Sequence, residues 1–140
     1  MPPALALTIP PETDAVSRLL DALEGFAEAA ELSPKAAHRL SVVVEELAAN
    51  VVMHGSSGPG AATFVAVTVR QEGDDLVATI EDDGRAFDPL ARAAPDTEAE
   101  LDDRDIGGLG VHFVQKMTRD LRYSREDGRN RLVAVLDAAG

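Results

Sequence analysis

Ser41-Val-Val-Val-Glu45-Glu46-Leu-Ala-Ala-Asn50-Val-Val-Met-His54 is the stretch on which the fold of this chain turns. At about 100° per residue, Leu40, Val44, Leu47 and Val51 fall on one apolar stripe, the mark of a half-buried helix. Glu46 and Asn50 are four residues apart, so they stack on a neighbouring face, with Val42 and Met53 beside them. Glu45 lies about 100° from Glu46 and points elsewhere. A carboxylate and an amide among apolar residues admit two readings. One is an ordinary surface pair containing a helix-favouring Glu. The other is a carboxylate base beside an amide oxygen able to bind a hard cation such as Mg²⁺.

Outward from this helix the signals are local. Ser33-Pro34 supplies an N-cap and a first-turn proline, and Gly55 supplies a stop. Upstream, Val16, Leu19, Leu20, Leu23, Phe26, Ala27 and Ala30 recur at helical spacing from about Thr13. Leu5 to Ile9 alternates weakly before Pro10-Pro11 and reads as an edge strand. Downstream, 56–62 is loop by composition. Thr63 to Arg70 and Leu76 to Glu81 read as strands joined by the Glu72-Gly73-Asp74 turn. Asp82 to Asp105 has little periodicity, and a loop that long is usually a functional lid or a mobile segment. Helix resumes after Gly110 through Val111, Val114 and Met117. Strands near Leu121 to Arg125 and Leu132 to Leu136 flank the Asp127-Gly128 turn pair.

This order gives an α/β (α+β) fold, a two-layer sandwich with a mixed, mostly antiparallel sheet and helices on one face. No repeat or linker divides the chain, so 1–140 is expected to be a single domain of 140 residues. With no cysteine, a disulfide scaffold, a thiol nucleophile and a thiolate metal site are excluded. The three histidines, His38, His54 and His112, are too scattered for a zinc site. The formal net charge of −12 disfavours direct contact with nucleic acid, suits a basic protein partner and favours solubility. The start of the chain lacks a basic region before its apolar run, and no apolar run is long enough to span a bilayer. No membrane partner is expected, and a cytoplasmic location is the default.

Two further stretches carry chemistry. In Asp82-Asp-Gly84-Arg-Ala-Phe87-Asp88-Pro89 a carboxylate at a strand end can accept from an exocyclic amine, and Gly84 lets a flat ring approach. The same residues also read as a simple Asp-Gly turn. In Asp105-Ile-Gly107-Gly108-Leu-Gly110-Val111 three glycines lead into a helix whose N-terminal N–H groups and dipole favour phosphate, or they form a flexible hinge.

Taken together and in this order, the three stretches resemble the superfamily of ATP-binding domains shared by gyrase B subunits, Hsp90, sensor histidine kinases and MutL. Within it the chain is similar to the small stand-alone anti-sigma factor serine kinases of bacteria. The resemblance rests on EELAANVVMHG, on Asp82-x-Gly84 followed by Phe87-Asp88-Pro89, and on Tyr123-Ser-Arg-Glu-Asp-Gly-Arg-Asn130. Ala86 stands where many relatives outside this branch carry a second glycine.

The resemblance implies ATP and Mg²⁺ as cofactors. Glu46 would be the catalytic base for a substrate serine, and Asn50 would hold Mg²⁺ against the phosphates. Asp82 would read the adenine amine and Gly84 would pack near the ring. Gly107, Gly108, Gly110 and Val111 would present backbone N–H groups to the phosphates. A segment from about 90 to 106 would form the lid. The implied partners are a sigma factor and an anti-sigma antagonist protein as the substrate, with a homodimer as the implied assembly. Within 96–105 six acids accompany one base, Arg104, and repel a triphosphate unless they point away or hold cations. That segment motivates an alternative, a non-catalytic switch in which nucleotide only governs partner binding. A sensor histidine kinase domain fits poorly, since His38 lies on one helix and not on the helical hairpin such domains receive.

Overall fold

A computed structural model describes residues 3–91 and 106–139 of the chain. The elements run β1 (Ala4–Ile9), α1 (Thr13–Ala29), α2 (Pro34–Gly55), β2 (Val65–Glu72), β3 (Asp75–Asp82), a 3₁₀ turn (Pro89–Ala91), α3 (Ile106–Met117), β4 (Asp120–Glu126) and β5 (Arg129–Asp137). The expected lid, about 90 to 106, lies mostly outside the described residues.

The sheet order is β1-β2-β3-β5-β4, and every pairing is antiparallel, so no parallel pair makes it mixed. β1 is the edge strand the prolines predict. Alternate strand residues form the inner face: Val65, Val67 and Val69, then Leu76, Ala78 and Ile80, then Leu132, Ala134 and Leu136. They meet Leu19, Leu23 and Phe26 of α1 and Leu40, Val44, Leu47 and Val51 of α2 in one buried cluster. The apolar stripe read from the sequence is therefore the inner face of α2.

The caps follow the sequence closely. The Ser33 hydroxyl accepts from Ala36 N at 3.1 Å, with Pro34 opening α2. In the β4–β5 hairpin Asp127 and Gly128 both take positive φ, 52° and 75°, as a type I′ turn requires.

Several strands run one to three residues past their expected ends, β5 from Arg129 and β2 to Glu72 among them, and two element starts differ for a clear physical reason. β2 starts at Val65 and not at Thr63. The backbone N–H groups of Thr63 and Phe64 donate to the Asp83 carboxylate, at 2.6 and 3.3 Å, which diverts them from a strand ladder. The Thr63 hydroxyl donates to the same carboxylate. Burial works against ionisation of Asp83, but these bonds outweigh it and hold its carboxyl below the usual aspartate value. The second difference is that α3 starts at Ile106 and not after Gly110. Glycine's poor helix propensity predicts a later start, but packing of α3 on α2 around the buried Val114 overrides it.

Candidate functional site

α2 carries the first two site residues. The helix packs on α3 and on β3 and β5 of the sheet, which turns one flank of it inward. Asn50, on that flank, is 4 % exposed, and its Nδ2 has no hydrogen-bond partner among the described residues. A buried amide left unpaired is costly in a folded protein and calls for a ligand or an ordered water. One turn earlier, Glu46 is partly buried. Burial holds its carboxyl above the ordinary glutamate value, and the neighbouring Glu45 charge adds to the rise. A carboxylate displaced in this direction is a better proton acceptor than a free one.

Asp82 closes β3 and is buried, at 6 % exposure. Its Oδ1 accepts from Gly84 N at 2.9 Å, so the Asp-x-Gly turn forms around the carboxylate itself. Gly84 is required here by space. A Cβ at this position would stand 3.0 Å from Asp82 Oδ1 and 3.2 Å from the Ala62 Cβ. Gly84→Ala is therefore expected to destabilise the fold by about 1–3 kcal/mol, the range for overpacking. It should also displace the Asp82 carboxylate. Denaturant unfolding and nucleotide titration check the two effects; unchanged values in both would show that the loop simply yields.

Arg85, the next residue, joins the two halves of the site. Its Nη2 donates to His54 O at 2.8 Å, and its Nη1 donates to Ser57 O and Pro59 O, each at 2.9 Å. Its backbone N–H donates to Gly60 O at 2.6 Å. The guanidinium thus serves one carbonyl in the last turn of α2, that of His54, and two in the loop that follows. The His54 ring stacks on Phe87 with centroids 5.2 Å apart and planes 25° apart, and its Nε2 has no hydrogen-bond partner among the described residues.

Gly107 and Gly108 lie in the first turn of α3, where N–H groups have no intrahelical partner. Gly110 and Val111 lie beyond that turn, where the helix ladder uses the N–H groups. The early start also carries Lys116 almost three turns into the helix, about 15 Å along the axis, where it is exposed.

The sequence reading missed Asn130, Tyr123 and Arg85. Asn130 Nδ2 donates to Asp82 Oδ1 at 3.0 Å, and the Tyr123 hydroxyl donates to Asn130 Oδ1 at 2.5 Å. The signal for Asn130 was its place opposite Asp82, visible only once β3 and β5 are paired in register.

No helix among the described residues is long and apolar enough to cross a membrane. A family model described as the histidine kinase-like ATPase domain matches residues 9–136. The serine/threonine-protein kinase BtrW of Bordetella bronchiseptica is 30 % identical over 135 residues, covering 96 % of this chain and 92 % of that protein. The solved RsbU and RsbW domains of a Mycobacterium tuberculosis protein superpose with a TM-score of 0.68 at 14 % identity, over 96 % of this chain. This chain spans 32 % of that one. The blue-light activated histidine kinase of Erythrobacter litoralis gives a TM-score of 0.56 at 18 % identity, over 94 % of this chain and 42 % of its own. These two structures speak for the fold alone. The family match runs from the end of β1 into β5, and on that extent the chain belongs to the histidine kinase-like ATPase domain family.

Proposed function

We propose that the chain is an ATP-dependent regulatory serine protein kinase acting as an anti-sigma factor. It phosphorylates an anti-sigma antagonist protein and sequesters a sigma factor. The observation that carries this reading is the pairing on α2 of a carboxylate with raised pKa and, one turn on, a buried amide whose Nδ2 has no partner among the described residues. The similarity to a protein named a serine/threonine kinase supports it.

Asn50 would hold Mg²⁺ through its Oδ1, since this cation takes oxygen ligands and few of them from protein, while the Nδ2, a donor without a partner among the described residues, suits a phosphate oxygen. A cation held there would supply neutralisation of the phosphate charge. Asp82 accepts from the adenine amine beside Gly84. The N–H groups of Gly107 and Gly108 face the phosphates, with Gly110 and Val111 behind them. Glu46 takes the proton of the substrate serine as its oxygen bonds the γ-phosphorus. The bond from that phosphorus to the bridging oxygen breaks and ADP leaves. The acidic chain suits a basic protein surface as partner.

The direct test is transfer of labelled phosphate from ATP with Mg²⁺ to serine of the cognate antagonist protein. Transfer is expected. Its absence, with nucleotide and partner both bound, sinks the kinase reading and leaves the nucleotide-dependent switch.

The raised Glu46 pKa sets a pH dependence. The base works only when ionised, so activity falls as pH drops through its pKa. The acid limb of kcat/KM is expected above the pH at which an ordinary glutamate titrates. A limb at the ordinary value assigns the proton transfer to another group.

A further inference from the structure

The Asp82 carboxylate is held through one oxygen. Oδ1 accepts from Gly84 N at 2.9 Å and from Asn130 Nδ2 at 3.0 Å. Among the described residues no donor reaches Oδ2. Asn130 is 5 % exposed and stands directly across from Asp82 in the β3–β5 register. Its amide is fully engaged. Nδ2 donates to Asp82 Oδ1 and, at 2.8 Å, to Arg85 O. Oδ1 accepts from Phe87 N at 3.1 Å and from the Tyr123 hydroxyl at 2.5 Å. Two donors and two lone pairs are the whole inventory of an amide, so Asn130 has no second arrangement to turn to. Phe87 N only donates and Arg85 O only accepts, which fixes which end of the amide is oxygen.

We propose that Asn130 is a positioning residue that sets base specificity. By holding Oδ1, it reserves Oδ2 for the exocyclic amine of the nucleotide base. This rests on the reading of Asp82 as the base contact. An ionised carboxylate only accepts, so a base with a carbonyl in place of the amine sets acceptor against acceptor. A carboxylate free to rotate relieves that clash by turning away. One anchored by Asn130 and Gly84 cannot, and the carbonyl base is rejected. Asn130 therefore acts on the base through Asp82 and need not touch it.

The experiment is calorimetric titration of ATP and of inosine triphosphate, each with Mg²⁺, into the wild type and Asn130→Ala. Inosine triphosphate differs by the oxo group that replaces the amine. The wild type is expected to prefer ATP by roughly 10- to 100-fold, as for one hydrogen bond to a charged acceptor. In Asn130→Ala the preference is expected to fall to within about threefold, mainly through tighter binding of inosine triphosphate relative to ATP. If both affinities fall together and the ratio is kept, Asn130 only supports the loop and the inference is overturned. If the wild type itself shows no preference, the Asp82 reading fails and the inference with it. Thermal melting monitors folding of the variant. Should Asn130→Ala not fold, Tyr123→Phe removes one of the two donors that steady the amide. It is expected to lower the ratio by about twofold, and an unchanged ratio there overturns the proposal.

Discussion

Glu46→Gln is expected to abolish phosphate transfer while leaving nucleotide binding intact. Gln keeps the size of the side chain and loses only the ability to accept a proton. The loss should reach about 10²- to 10⁴-fold in rate, the usual contribution of a positioned general base. Stability should not fall. The fold holds the Glu46 carboxyl above its ordinary pKa, which means that the fold disfavours the ionised form. The unfolded chain releases this proton at lower pH, so above the raised pKa the charge weighs against folding, and a neutral side chain removes that load. Transfer assays, ATP titration and thermal melting read the three quantities separately. A variant that transfers at the wild-type rate places the base elsewhere. A variant that loses ATP binding places Glu46 among the binding groups.

Asn50→Ala is expected to lower Mg²⁺-dependent ATP affinity by at least about tenfold without loss of fold stability. A buried polar group whose partner is absent costs free energy, and removing it together with its need is close to neutral. The Nδ2 of Asn50, without a partner among the described residues, marks such a group. Binding and stability should therefore separate in this variant, which they do not when a core residue is truncated. Chelation supplies the second arm. If Asn50 acts through Mg²⁺, removing the metal should cost the wild type much and the variant little, because both changes delete one interaction. Additive losses would show that Asn50 contacts the nucleotide without the metal.

How far the sequence carries this molecule follows from the range of each signal. Local signals were legible. Ser33-Pro34 marks the start of α2, Gly55 its end, and Asp127-Gly128 the last turn, because a cap or a turn is decided by neighbours in the chain. The inner stripe of α2 was legible for the same reason, and so was the stacking of Glu46 and Asn50 on the face beside it, though only the order of the three motifs told a site from a surface pair. Long-range decisions were not. Thr63 looks like strand by its β-branching, yet the Asp83 carboxylate takes its N–H from twenty residues away. The glycines of α3 look like loop until α2 is there to pack on. Asn130 reads as the edge of a hairpin turn until the register sets it across from Asp82. Nothing local to Arg85 shows that the last turn of α2 and the loop after it offer it three carbonyls.

The strand order has a consequence for how the domain comes into being. β5 follows β4 in the chain but lies between β4 and β3. Asp82 and Asn130 are 48 residues apart in sequence and meet only when that insertion is complete. Contacts of such separation form late and slow the search, since loop closure comes before any gain. Until β5 arrives, β3 is an open edge able to pair with another chain. The strand that closes this vulnerable edge is the same one that delivers Asn130 to Asp82. On the proposed roles of Asp82 and Asn130, one event would both cover the open β3 edge and complete the nucleotide contact, leaving β1 and β4 as the sheet edges.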